Sequence, residues 1–520
     1  MNMPRRIDLT SRQLEELLQR VETGSLKDGD YEIIKGMADT IILLGNAVDN
    51  KSTSIKRLLK LLFGSGTEKT SKVLKRKKGK KSGKKKKRKG HGKNGAADYT
   101  GADRIKISHE TLKPKDTCPA CNKGKVYDLS EPGLIVRITG QAPCSATVYE
   151  LQKLRCNLCG QVFTAQAPED VGDEKYDAAS GAMIALLKYG SGLPFNRLAQ
   201  LQASLGVPLP SSTQWEIVES VADKIHPVYT ELMRKAAQGD VIHNDDTVMK
   251  ILELMQASDE DRQGRKGMYT SGLLSIVNNI KIALFMTGGK HAGENMADIL
   301  SKRSTALDPP VQMCDALSRN LPKDFKVILA NCLAHARRRF VDVEWNFPKE
   351  CGHVLETLEK VYKNDGVTKQ QGMTPEQRLQ YHQAESRPLM QDLRVWLTAQ
   401  LDDKKTEPNS GLGQAISYML KHWQELTLFL RVPKAPLDNN LCEQALKKAI
   451  LHRKNSLFYK TEHGAYIGDL FMSLIHTCNL CKVNPFEYLK TLQQHSSKLF
   501  QNPNQWMPWN YEKTIGPVSE

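Results

Sequence analysis

Three acidic residues stand where acids can do more than solvate a surface. Asp245 follows the apolar run "VIHN", Asp315 closes "VQMCD", and Glu443 opens the helix-like "LCEQALKKAILHRKNSLFY", in which it is the only carboxylate. Hard divalent cations prefer carboxylate oxygens and keep open positions for water. Two such ions about 3.5–4 Å apart activate a water or a 3′-hydroxyl and stabilise the leaving oxygen of an in-line displacement at phosphorus. Two strand-end Asp and one helix Glu, converging from distant parts of the chain, make that ligand set. Glu443 must then face inward, and the cations after it, Lys447, Lys448, Arg453 and Lys454, are placed to hold phosphates. The pattern alone is not specific. The chain has 58 acids, and for an arbitrary three the ordinary roles are surface solvation and helix capping. Asp246 is an alternative to Asp245, since the two-residue period of a strand does not choose between them.

A second constellation is made of thiols. Cys118-Pro-Ala-Cys121 and Cys156-Asn-Leu-Cys159 are separated by 34 residues. Each pair places two thiolates on one tight turn, and two such knuckles close a tetrahedral, structural Zn²⁺. The spacer is longer than the usual ~15–20 residues, which leaves room for a β insert. Within and after it "GLIVRITG", "ATVYELQKLR" and "QVFTAQA" alternate as strands do. The pattern is zinc-ribbon-like, with Cys144 in the spacer reading as a core residue. The start of the chain shows no apolar signal-peptide core, so the eleven cysteines favour metal over disulfides. No stretch approaches the ~18–20 apolar residues of a membrane span.

The net charge of +17 is concentrated: Lys72 to Lys93 holds fourteen Lys/Arg and no acid, leaving the rest near +3. A cationic segment on a near-neutral body expects a polyanion partner, most simply nucleic acid. Lys75, Arg76, Lys77, Lys78, Lys84, Lys85, Lys86, Lys87 and Arg88 are its candidate phosphate contacts, together with Arg453 and Lys454. The surrounding Gly-, Lys- and Ser-rich residues 64–104 cannot bury a core and are expected to be extended or disordered.

These groups need elements to position them. Residues 8–22 and about 31–62 read as helices. In the second, Ile34, Ile41, Val48, Ile55 and Leu62 fall seven apart, with Met37, Leu44 and Leu58 on the companion seam and Lys51 breaking it. That heptad predicts a parallel two-stranded coil, hence a dimer. Between Tyr176 and Lys235 a helix, a turn at Gly206-Val207-Pro208 and a second helix capped by Ser211 or Ser212 predict a helix–turn–helix. "YTSGLLSIVNNIKIALFMTG" reads as two strands joined at Asn278-Asn279, and "KVILANCLAHARRRF" as a strand passing into a helix. Residues from about 336 to 430 read as helical.

The motifs in order resemble those of the large transposase of the insertion-sequence-66 family, along nearly the whole chain. "LKLLFGSGTEK" is similar to its N-terminal signature, "GHGKNGAADYTGA" to its Gly-His-Gly linker, and "CPACNKGKVYDL…LRCNLCGQVFTA" to its zinc finger. "VIHNDDTVMKIL" resembles the segment of the first Asp, which places it on Asp245; "QMCDALSRN" carries the second, Asp315, and "PLDNNLCEQALKKAILHRKNSLFYKTEHGA" the Glu, Glu443. Asp246 departs from the family's frequent Glu but keeps an acid there. "NCLAHARRRF" resembles the family's Cys-x-x-His segment, here Cys332 and His335, which could brace an insertion against the site.

The resemblance implies a multidomain α+β protein. A ribonuclease-H-like α/β catalytic core over 237–335 and 433–495 is interrupted by an α-helical insertion over 336–432, and the 128 residues from Asp315 to Glu443 fit this. Before the core come coiled-coil helices (1–63), a basic flexible linker (64–110), the zinc domain (111–168) and a helical, helix-turn-helix-like domain (169–236); a tail (496–520) ends the chain. It implies a DDE transposase using two Mg²⁺ or Mn²⁺ held by Asp245, Asp315 and Glu443. Its partners would be element-end and target DNA, a second copy or higher oligomer in the synapse, and accessory proteins of the element. Its location would be the bacterial cytoplasm, at the nucleoid. The rivals are a DNA-binding protein without catalysis, such as a decayed transposase or repressor, and a nuclease that hydrolyses without joining.

Overall fold

A computed structural model describes residues 11–27, 29–37, 70–74, 105–129, 135, 142–155, 157, 161–168, 174–258, 265 and 267–516. They fall in two units, residues 1–76 with 148–520, and residues 77–147. The heptad beyond residue 37, the basic run 75–88, and Cys156 and Cys159 lie outside the described residues.

In the larger unit, β1 (Lys153–Arg155) and β2 (Val162–Thr164) pair as a short antiparallel ribbon. "ATVYELQKLR" is therefore a strand only over its last three residues. The other five strands are β3 (Val241–Val248), β4 (Tyr269–Val277), β5 (Ile280–Gly288), β6 (Val311–Cys314) and β7 (Ile328–Asn331). They form one mixed sheet in the order β5-β4-β3-β6-β7. β3, β4 and β5 are an antiparallel meander, and β6 and β7 run parallel to β3. This mixed α/β arrangement is compatible with the ribonuclease-H-like core that was expected. The β4–β5 hairpin turns at Asn278 (φ 48°) and Asn279 (φ 68°). A two-residue hairpin of this twist needs the left-handed region at both positions, and Asn tolerates it.

The longer helices are numbered along the chain. α1 (Ser11–Glu22) is N-terminal. α2 (Ala178–Ala185), α3 (Phe195–Ser204) and α4 (Ser211–Ala236) precede the sheet. α3 and α4 are two consecutive helices where a helix–turn–helix was expected, but neither serine caps the second helix. Pro210 is its N-cap, and its carbonyl accepts the Gln214 N–H at 3.0 Å. The buried Gln214 amide donates to the carbonyls of Phe195 and Leu209, locking the pair. Val218, Val221, Ile225, Val228 and Leu232 form a buried helical stripe, and the helix packs on β4 and β5 as well as on α2 and α3. α4 is thus a core helix of the sheet.

α5 (Ala292–Leu300) follows β5, and α6 (Leu333–Val343) follows β7. Then come α7 (Pro348–Gln370), α8 (Pro375–Glu385), α9 (Arg387–Asp402) and α10 (Gly411–Lys421). Leu355, Leu358, Leu393, Leu397, Ile416 and Met419 share one buried cluster among them. Asp365 sits under this bundle. Burial pushes its carboxyl up, but the bonds from His382 and Lys369 and the nearby Arg378 outweigh that and hold it well below the carboxylate range. Arg378 also donates to the Ala435 carbonyl at 2.8 Å, so the same side chain ties α8 to the segment that leads into α11 (Asn440–Ser456).

α12 (Glu462–Cys481) covers β5, an edge strand whose free N–H groups would otherwise be buried without partners. Asp469, Ser473 and Thr477 recur every four residues, on one helix face. They accept the N–H groups of Thr287 (2.6 Å), Phe285 (2.9 Å) and Ala283 (3.1 Å), which recur every two along the strand. The helix thereby stands in for a missing strand. α13 (Pro485–Gln494) closes this side against α2 and α4. Among the described residues no helix is long and apolar enough to cross a membrane.

Candidate active site

β3 pairs with β4 along its whole length, from Val241 to Val248, but with β6 only from Val241 to His243. Asp245 is therefore inside the strand, not at its end as expected. What ends there is the β6 pairing. β6 stops at Cys314, and the neighbour side of β3 opens. In the parallel register His243 faces Met313. Two residues further along β3 comes Asp245, and one residue past the end of β6 comes Asp315, close enough for its charge to act on Asp245.

Burial is the main cause that pushes the Asp245 carboxyl up to about 7, and the charges of Asp315, Asp246 and Glu443 push the same way. The Asp246 N–H, donating to Asp245 Oδ1 at 2.9 Å, opposes this. Asp315 is oriented by its own loop. Its Oδ1 accepts the Asn320 amide and, at 3.3 Å, the Leu317 N–H. The Asn320 carbonyl in turn accepts the side chains of Asn244 (2.8 Å) and Gln312 (2.6 Å). This buried amide network fixes the loop to both strands.

Glu443 comes in on the first turn of α11, which packs on β3 and β4. Its buried stripe, Cys442, Ala445, Leu446, Ala449 and His452, is helical in spacing, and Lys447, Lys448 and Lys454 are exposed. Gly272 admits the helix. A Cβ there would lie 2.9 Å from Leu446, and the Cys442 thiol donates to the Gly272 carbonyl at 3.3 Å. Asn439 sets the start of the helix. Its side chain accepts His243 Nδ1–H at 3.0 Å and donates to the Asn244 carbonyl at 3.1 Å, while its N–H donates to Cys332 Sγ at 3.2 Å. His243 is neutral in this role, since burial lowers it to about 4. The residue just ahead of α11 is thus bonded to the residues just ahead of Asp245.

Asp246 turns to the opposite face. Its carboxylate is 2% exposed and is held by His291 Nδ1 at 2.9 Å and by Arg319 at 3.3 Å. The acid on the α11 face is Asp245.

The model of the family "Transposase IS66 family" matches residues 175–467, more than half of the chain, and spans both Asp, Glu443, Cys332 and His335. The chain belongs to the IS66 family of transposases. It is 25% identical over 428 residues (79% of this chain, 76% of the relative) to uncharacterized protein y4hP of Sinorhizobium fredii (strain NBRC 101917 / NGR234). To uncharacterized protein y4jD of the same organism it is 26% identical over 425 residues (77% and 79%).

The remaining candidate residues of this transposase fall as follows. Cys118 and Cys121 sit on a built knuckle. The Cys118 N–H bonds the Gly124 carbonyl at 2.8 Å, and the Asn122 N–H bonds the Cys118 carbonyl at 2.8 Å. The N–H groups of Gly124 and Lys123 lower the Cys121 thiol, with a further contribution from Cys118. Backbone amides aimed at a sulfur are what a thiolate ligand requires. Lys454 is exposed, but the Arg453 guanidinium is committed to the protein, donating to Thr247 Oγ1 at 3.1 Å and to the Val248 carbonyl. The root of the basic run is docked as well. Val73 is buried in the cluster of the helical bundle, and Arg337 donates to Thr70 Oγ1 at 3.1 Å.

Asn439, Gly272, Asn320 and the pair Asn244–Gln312 were not singled out from the sequence. "DNN" before a helix reads as ordinary capping, and a Gly within an apolar run has no signal of its own. Their roles depend on what the fold places opposite them.

Proposed function

We propose that the transposase cleaves DNA at the ends of its element and joins the freed 3′-OH to target DNA, with Asp245, Asp315 and Glu443 holding two Mg²⁺ or Mn²⁺. The convergence of the three carboxylates carries this reading: burial is the main cause that raises the Asp245 carboxyl to about 7, and the charges of Asp315 and Glu443 are near enough to add to it. The donor set suits the ions. It is all oxygen, and Glu443 Oε1 is shielded from solvent and makes no hydrogen bond among the described residues. When bound, such ions activate the attacking oxygen and stabilise the leaving one.

The protein's own part is positioning. Asp315 is oriented by Asn320, Asp245 by the Asp246 N–H, and Glu443 by the Asn439 anchor at the helix start. The exposed Lys447, Lys448 and Lys454 lie on the open face of α11, where they hold phosphates near the acids. No Ser or Tyr nucleophile is needed, because water and then a 3′-hydroxyl serve as nucleophiles.

Element ends are bound by the basic run 75–88 and by a zinc domain in which Cys118, Cys121, Cys156 and Cys159 share one structural Zn²⁺. The N-terminal helices pair two copies across the two ends. Incubation of the purified protein with DNA carrying the element's ends, with and without Mg²⁺ or Mn²⁺, tests the chemistry. Metal-dependent nicking at the ends is expected, and pre-cleaved ends should be joined to a target. Specific binding without any metal-dependent nicking would leave only a DNA-binding protein.

A further inference from the structure

Cys332 and His335 are not needed by the reading above, yet the fold brings them to Glu443. One ligand atom from each, a sulfur, a ring nitrogen and a carboxylate oxygen, lie within 4.8 Å of one another. We propose that these three residues form a separate site for Zn²⁺, or a cation of similar softness, which shares Glu443 with the acid cluster. The sharing rests on the role given to Glu443 above; the site itself does not.

Cys332 is the N-cap of α6, and His335 lies three residues on, which puts both side chains on one face of the first turn. Thiolate and imidazole are the ligands Zn²⁺ prefers, whereas Mg²⁺ takes oxygen and keeps water. Cys332 is 1% exposed, and its sulfur accepts the backbone N–H of Asn439, so it is rigidly placed. Glu443 follows Asn439 by four residues, one helical turn, so the amide that fixes the sulfur also fixes where the carboxylate stands. His335 Nε2 lies 3.4 Å from Glu443 Oε1, and that oxygen is shielded and makes no hydrogen bond among the described residues. A group between imidazole and carboxylate satisfies both. Three protein ligands with a fourth position left open is the count of exchangeable and catalytic zinc sites.

The consequence is competition. A carboxylate drawn towards Cys332 and His335 is withdrawn from Asp245 and Asp315. Zn²⁺ at this site antagonises the chemistry supported by Mg²⁺, and does so without occupying the oxygen-only cluster.

The test compares the full-length protein with Cys332→Ser and His335→Ala after each is equilibrated with Zn²⁺ and freed of unbound metal. His335 is partly exposed, so its truncation is the variant that folds safely, and circular dichroism checks both. Each variant should hold one zinc equivalent less than the parent. With Co²⁺ in place of Zn²⁺, the parent should show a thiolate-to-cobalt absorption component that both variants lack. Equal zinc content and superimposable cobalt spectra in the three proteins would overturn the site. This readout needs neither DNA nor Mg²⁺, so its failure would leave the role of the acids untouched. In a second arm, Zn²⁺ should lower Mg²⁺-supported nicking by the parent more than it lowers that of His335→Ala, each measured against its own zinc-free rate. Equal sensitivity would overturn the competition.

Discussion

Gly272 stands directly across the β3–β4 ladder from Asp245, and the missing side chain there lets α11 lie against the strand. Valine at this position meets Leu446 and pushes the helix that carries Glu443 away from the sheet. Overpacking of this kind costs about 1–3 kcal/mol. Gly272→Val should lower the urea midpoint by a corresponding amount. At a temperature where the variant is still folded, it should lose more nicking activity than its unfolded fraction explains. A Gly272→Val protein as stable and as fast as the parent would remove this contact from the positioning of Glu443.

The neighbouring acids Asp245 and Asp246 should separate cleanly. Loss of an ion ligand removes several kcal/mol of charge stabilisation, so Asp245→Asn, Asp315→Asn and Glu443→Gln should each cut nicking about a thousandfold or more. DNA binding in gel shift should persist. Asp246→Asn loosens the His291 and Arg319 contacts on the other face. It should lower stability while keeping metal-dependent nicking. The reverse ranking would transfer the ligand role to Asp246.

The raised carboxyl of Asp245 gives a pH signature. Between about pH 4 and 7 the folded, metal-free protein keeps a proton that the unfolded chain has lost. Stability is therefore greatest on the acid side of that window and falls as pH rises through 7. Asp469, buried under β5 and pushed up to about 7 by burial against the Thr287 bonds, contributes in the same direction. A divalent ion requires the ionised Asp245 and does not touch Asp469. The Mg²⁺-induced rise in Tm should thus be larger at about pH 8 than at about pH 6, and should vanish in Asp245→Asn. An equal rise at both pH values would contradict the assignment.

Arg453 and Lys454 are adjacent in sequence but differ in employment. Arg453→Ala should destabilise by about 1–3 kcal/mol, since it leaves the Val248 carbonyl and Thr247 hydroxyl without their charged donor. Lys454→Ala should leave Tm unchanged. If Lys454 holds a phosphate, the variant should also reduce the slope of log K against log salt by about 0.9. Calorimetry and salt-titrated binding check the two. A Tm loss at Lys454 together with none at Arg453 would reverse their roles.

Much of the architecture follows from local patterns. The β4–β5 hairpin is legible because a two-residue turn demands left-handed residues and Asn278-Asn279 supplies them between two apolar runs. The strand-to-helix passage at Asn331–Leu333 is legible from a change of period. The α4 cap is not, because Pro210 sets the entry by its backbone and leaves Ser211 and Ser212 idle. The stand-in strand, α12, is also hidden. Asp469, Ser473 and Thr477 read as scattered polar residues until an edge strand with a two-residue period is laid beside their four-residue period.

The residue types at Asp245, Asp315 and Glu443 and their flanking motifs are properties of the chain, since side-chain chemistry and local periodicity travel with the sequence. Strand period alone leaves the choice between two adjacent aspartates open and the family resemblance points to Asp245; the tertiary structure supplies the physical reason. A strand presents its neighbours to opposite faces, and α11 packs on one face only. The same packing brings the buried sulfur of Cys332 to Asn439 across 107 residues, a closeness that no spacing along the chain encodes.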